Sequence, residues 1–175
     1  MTTTSVALLR GINVGGNRKL PMKDLSGWME RAGFEGVRTY IQSGNVVFSH
    51  GARPEEELRT ELEALIASRA GFDVPVMVRP ASELAAVVDA NPFPGVEPTR
   101  LHVGFLTEPP DPAAVAAVDP ATWAPEEFVV IGREIYLHLP DGMGRAQLPP
   151  RLKILAPATA RNWRTVTALL ELTGS

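Results

Sequence analysis

Cysteine is missing altogether from the 175 residues. That absence removes disulfides, thiolate metal sites and thiol nucleophiles together, and it accords with a reducing compartment. No apolar run approaches the ~20 residues that a membrane-spanning helix needs. The opening stretch, MTTTSVALLR, has no basic segment ahead of its short apolar run and does not read as a secretory leader. The expectation is a cytoplasmic protein with no membrane partner. Aromatic residues make up 6% of the chain and histidine three positions, which leaves few groups for base stacking or metal ligation. The spacings H-E-x-x-H, G-x-S-x-G, G-x-G-x-x-G and G-x-x-x-x-G-K-[ST] do not occur either. No metal and no cofactor is expected.

What is present is a globular composition, 45% hydrophobic and 21% charged, enough to build a core without staples. The net charge of −3 is unevenly spread. Residues 1–50 carry six Lys/Arg against three Asp/Glu, residues 51–140 six against fifteen, and residues 141–175 five against two. If the two ends meet, they form a basic patch on an acidic protein; scattered surface charge is the plainer account.

The apolar pattern alternates between periods of two and of 3.6. Val6–Arg10 reads as a strand, and a Gly/Asn-rich loop runs from Arg10 to Lys19. Pro21 opens a helix with Met22, Leu25, Trp28 and Met29 on its apolar stripe. Val37–Gln42 and Asn45–Ser49 form a hairpin around Ser43, Gly44 and Asn45. Pro54 opens a second helix, and Val74–Arg79 is a strand whose Pro75 places it at a sheet edge. In the second half, Leu101–Leu106, Glu127–Ile131 and Glu134–Leu139 read as strands, Asp111 caps a helix, and a last helix starts near Ala160 with Thr159 as its cap. The fold class is therefore α+β: two ferredoxin-like (α-β plait) units, mostly antiparallel and covered by helices, the second incomplete. The first spans 1–80; the second spans 81–175, its C-terminal helix able to pack back on the first. Val6–Leu9, Val46–Phe48 and Val76–Val78 are apolar on both faces, so cover is expected on both, from the other unit or from another copy of the chain in a homo-oligomer.

Four motifs, ALLRGINVGGNRKLPMKDL, RTYIQSGNVVFS, YLHLPDGMGR and TARNWRTVTALL, together resemble the domain-of-unknown-function family 1697. The resemblance covers nearly the whole chain. It implies a bacterial protein with two ferredoxin-like units and brings no established activity. Ala146 and Gln147 stand where the family commonly has a Ser-Lys pair, and Arg164 and Ala168 where it commonly has asparagine and lysine. Chemistry built on those positions would be lacking in this chain.

The leading candidate site is the basic loop with Arg10, Gly11, Asn13, Gly15, Gly16, Asn17 and Lys19, joined by Thr159, Arg161 and Asn162 at the last helix start. Backbone N–H groups at a glycine loop or helix start can hold an anion, so a small anionic ligand (phosphate, nucleotide or carboxylate) is the expected partner. The plainer account is a crossover with glycines for φ > 0 and a capped helix. Ser43, Asn45, Asp141 and Arg145 are turn residues with polar side chains. On strand alternation His102, Tyr136 and His138 are expected to share one sheet face, as acid–base groups or simply a polar surface; His50 has no evident partner. A nucleic-acid-binding module is the alternative raised by the topology, against which the first strand shows no aromatic for stacking. A protein-interaction or structural role without catalysis is the third.

Overall fold

The computed structural model describes residues 2–152 and 157–174. The chain divides into two compact units, Met1–Ala86 with Ala168–Ser175, and Val87–Thr167. Among the described residues no helix is long and apolar enough to cross a membrane.

The first unit runs β1 (Thr3–Leu9), α1 (Met22–Arg31), β2 (Glu35–Tyr40), β3 (Asn45–His50), α2 (Glu55–Ala70) and β4 (Val76–Pro80). Its sheet has the order β2-β3-β1-β4, with every neighbour antiparallel. β4 is an edge, where Pro75 costs no ladder bond. The alternate residues Ala7, Leu9, Val46, Phe48, Val76 and Val78 form one core with Leu25 and Met29 of α1 and Leu58, Leu62 and Ile66 of α2. Each of these side chains other than Ala7 contributes roughly 1.5–3 kcal/mol on burial. Phe34 meets Phe48 edge to face, with centroids 5.3 Å apart. The opposite alternates Val6, Leu8, Val47 and Met77 are buried too. Arg79 is fully buried among them, its guanidinium 3.7 Å from Glu55 and 3.6 Å from Glu83. A buried cation is tolerated because carboxylates accompany it.

The second unit contains β5 (Leu101–Phe105), α4 (Pro112–Ala116), α5 (Pro120–Trp123), β6 (Glu127–Ile131), β7 (Glu134–His138), α6 (Leu148–Arg151) and β8 (Thr159–Asn162). The helices α3 (Ala81–Asp89) and α7 (Trp163–Leu172) each carry the chain across a unit boundary. Asp111 caps α4 as expected, accepting from Ala113 N–H at 3.0 Å. The sheet order is β6-β7-β5-β8, again all antiparallel. This sheet is four-stranded and not incomplete: the fourth strand is Thr159–Asn162, which the sequence reading places at a helix start. Pairing with β5 overrides the helical signal there, and α7 begins only at Trp163. Ile135, Leu137, Leu139, Leu148 and Leu152 make the core on one side.

Gly44 ties the β2–β3 tip to the end of β1. Its φ is +90°, and a Cβ there would sit 2.8 Å from both Leu9 Cβ and Ile12 Cδ1. Its carbonyl accepts from Leu9 N–H at 2.8 Å. Gly15 has a positive φ but open space around it. Gly44→Ala is therefore expected to cost about 3 kcal/mol, from overpacking and left-handed strain together. Gly15→Ala is expected to cost about 1 kcal/mol, from strain alone. Denaturant midpoints of the two variants check the ordering.

Candidate functional site

The first loop forms a tight hairpin of its own. Val14 and Asn17 pair across Gly15 and Gly16, whose φ values are +58° and +78°. Two successive positive φ values suit a type I′ turn, which glycine adopts without strain. Asn13 closes the base. Its amide donates to Leu20 O at 2.9 Å and Gln42 O at 2.7 Å, and its oxygen accepts from Leu20 N–H at 2.8 Å. The Arg18 guanidinium donates to the Asp73 carbonyl and lies 5.2 Å from the Phe72 ring centroid. Gly11, Arg10 and Lys19 are exposed.

The loop and the β2–β3 tip come together, because β1 ends where β3 begins (Leu8 opposite Asn45). Asn45 is fully buried and donates to Tyr40 O at 3.0 Å and to Ser43 Oγ at 2.9 Å. Asn13 and Asn45 thus spend their amides inside the fold, and neither presents its donors to a ligand.

Thr159, Arg161 and Asn162 lie along β8, opposite Phe105, Val103 and His102. Thr159 is buried in the strand and is not a helix cap. The cap of α7 is Asn162, whose Oδ1 accepts from Thr165 N–H at 2.9 Å. The helix start is thus served by its own chain. Arg161 is half-buried; loss of water pushes its pKa down to about 10, leaving it charged at neutral pH.

The three aromatic polar residues do not share a face. His102 stands opposite Leu137, whereas Tyr136 stands opposite Val103 and His138 opposite Leu101. His102 therefore points to the side of Leu137, and Tyr136 and His138 to the other. A register one residue from that assumed exchanges the faces. His102 is buried with no hydrogen-bond partner at Nδ1, and desolvation lowers its pKa. Tyr136 donates to Val87 O at 2.7 Å; burial, with Glu134 nearby, pushes its pKa up to about 12. His138 bonds Glu127 at 3.0 Å and lies beside the Phe93 ring. Asp141 and Arg145 border a cavity of about 200 Å³ with Trp123, Glu126 and Gln147. The Glu126 carboxylate there accepts from Gln147 N–H at 3.0 Å and from Leu148 N–H at 3.3 Å. No group of three or more His, Asp or Glu able to hold a metal occurs among the described residues.

The most developed chemistry lies at the other end of β1. That strand starts at Thr3, three residues before the expected Val6, so Ser5 joins Ala7 and Leu9 on the helix-covered face. His50 closes β3 on the same face, its ring centroid 5.5 Å from that of Phe48. Ser5 Oγ lies 2.8 Å from His50 Nε2, and His50 Nδ1 lies 2.7 Å from Gly51 O. A carbonyl only accepts, so Nδ1 carries the hydrogen. In the neutral ring Nε2 then accepts from the Ser5 hydroxyl, the tautomer following from the partners. The pair lines a cleft of about 430 Å³, which Thr3, Arg53, Glu55 and Leu58 also border. Arg53 reaches Glu57 at 2.8 Å and also pairs with Glu61, and these bonds raise its pKa. α2 begins at the cleft wall with Pro54 in the cap position and no side chain capping it. The signal for this pair was available: carrying the period of two outward from Val46 and Phe48 reaches His50, and back from Leu9 and Ala7 reaches Ser5.

A family model described as "Protein of unknown function (DUF1697)" matches residues 1–136 of the 175. The chain belongs to the DUF1697 family. No curated protein matches it. Its structure is similar to that of the conserved bacterial protein SP0830 from Streptococcus pneumoniae, with a TM-score of 0.80, 23% identity and 99% of each chain covered. At that identity the likeness establishes the fold alone. In this DUF1697 chain the matched residues include both the first loop and the Ser5–His50 cleft, while β8 lies beyond them.

Tyr136 yields a pH prediction. Its folded pKa of about 12 lies above the ordinary value of 10.0, so its contribution is complete below pH 10 and falls as pH rises through 12. Tyr136→Phe removes this alkaline component. At neutral pH it costs about 1 kcal/mol, because Val87 O loses its donor. Urea midpoints at pH 8 and pH 11 are expected to converge in the variant relative to the parent.

Proposed function

We propose that this DUF1697 protein binds a small molecule in the first unit, at the cleft where Ser5 and His50 are hydrogen-bonded. The observation that carries this reading is the pair itself: a hydroxyl and an imidazole of defined tautomer at the wall of a cleft of about 430 Å³. That volume is in the range of small-ligand sites, which combine apolar walls with a few placed polar groups. Leu58, Val78 and Pro80 supply the apolar surface here. The charges at the rim are already matched, Arg53 by Glu57 and Glu61, and Glu55 beside Arg79. The ligand this favours is uncharged at its head, with a hydrogen-bonding group and an apolar body.

An anionic ligand at the first loop has less behind it. Arg10 and Lys19 are exposed cations, but Asn13 and Arg18 are bound within the fold and Asn162 serves its own helix. Both units are read as ferredoxin-like, which the shared antiparallel strand orders support. The nucleic-acid reading that accompanies this topology lacks a stacking platform, because Val6–Leu9, Val46–Phe48, Leu101–Phe105 and Ile135–Leu137 are buried. The reading places the protein in the cytoplasm, on the composition argument.

Amide chemical-shift mapping against a library of small neutral and anionic fragments tests the proposal. Neutral fragments are expected to shift Ser5, His50, Gly51 and Glu55, and Ala52→Trp at the rim to abolish those shifts. Anionic fragments shifting Gly11 to Lys19 while the cleft stays silent would return the site to the first loop.

A further inference from the structure

We propose that Ser5 is a nucleophile and His50 its general base, and that the cleft transfers the acyl group of a small ester to water. This rests on the binding reading above and gives it a substrate class. A serine hydroxyl is a weak nucleophile until a base within hydrogen-bond reach takes its proton, and the base must itself be oriented by a third group. All three parts are in place: Ser5 Oγ at 2.8 Å from His50 Nε2, and Gly51 O at 2.7 Å from Nδ1. The carbonyl holds the imidazole in the tautomer whose free nitrogen faces the hydroxyl. Ser5 is only 1% exposed, so its environment is close to dry while it still borders the cleft. The 16-residue helix α2 starts at the cleft wall, with Glu55, Glu56 and Glu57 in its first turn.

The steps balance. Ser5 Oγ forms a bond to the ester carbonyl carbon as its proton passes to His50 Nε2. The tetrahedral adduct collapses, the carbon–alkoxy bond breaks, and His50 returns the proton to the departing alkoxide, which leaves as an alcohol. Water then attacks the acyl-Ser5 carbonyl, giving its proton to His50. His50 returns that proton to Oγ as the carbon–Oγ bond breaks, releasing the carboxylic acid and restoring the Ser5 hydroxyl. The only reactants are the ester and water. Ser5 and His50 come from strands β1 and β3, paired across the sheet, which fixes their separation more firmly than a loop would.

The test uses the full chain with two probes, a fluorophosphonate ester that modifies activated serines and p-nitrophenyl butyrate. Peptide mapping by mass spectrometry is expected to find a single phosphonate adduct, on Ser5. Ester turnover is expected to disappear in Ser5→Ala and to fall by about 10²-fold or more in His50→Gln. Ser5→Cys provides a second route should Ser5→Ala fold poorly: iodoacetamide is expected to alkylate that thiol faster with His50 present than in Ser5→Cys with His50→Gln. An adduct on another residue, turnover unchanged in Ser5→Ala, or alkylation indifferent to His50 overturns the proposal. Fragment shifts at the cleft without any adduct overturn the nucleophile and leave the binding site standing. Absence of both overturns both.

Discussion

Strand β1 is held on every side, and the rest of the first unit is arranged around that. β3 and β4 claim both of its hydrogen-bonding edges, and Ser5 to Leu9 are buried on both faces. A strand so enclosed has no freedom of register, since a slip of one residue would turn every buried side chain to the wrong face. Ser5 and Leu9 point the same way from opposite ends, roughly 13 Å apart at the usual strand rise. One end carries a hydroxyl, an imidazole and the start of α2. The other carries the packed contact of Leu9, Ile12 and Gly44, with two loops closing over it.

The polar groups inside this unit are used differently at the two ends of β1. Asn13 ties the base of the first loop to Leu20 and Gln42, and Asn45 ties the β2–β3 turn to Tyr40 and Ser43. Their donors go to the Leu20, Gln42 and Tyr40 carbonyls and the Ser43 hydroxyl, which is a structural use. The Ser5–His50 bond is different, because the Ser5 hydroxyl donates to an imidazole nitrogen rather than to a backbone carbonyl, and the pair borders the cleft. Arg79 shows a third use of buried polarity, a charge retained beside Glu55 and Glu83 at the sheet edge.

β1, β3, β4, β5 and β7 were legible because strands buried on both faces leave apolar runs that no loop would carry, and because Pro21, Pro54 and Gly71 punctuate the helices of the first unit. The strand Thr159–Asn162 was not, since four residues bearing Thr, Arg and Asn look like a helix cap, and only the partner β5 makes them a strand. The faces of His102 and Tyr136 depended on a register that lies outside either strand's own pattern. His50 has no partner within its own stretch of sequence, because Ser5 is 45 residues distant in the chain. Asn13 and Asn45 looked like ligand groups for a related reason: a free amide and one committed to a carbonyl in another segment have the same local sequence.

The hydrogen bond from the Arg38 guanidinium to the Leu172 carbonyl spans 134 positions and lies within one compact unit. Loop closure over such a separation carries an entropic cost that local contacts do not. During synthesis the first unit would emerge from the ribosome as a nearly finished sheet still lacking residues 168–175, and would wait while the whole of the second unit is made. The order of completion is thus the reverse of the order of translation: the unit begun first is closed last. A cleavage or stop at residue 167 would therefore injure the unit that was made earliest.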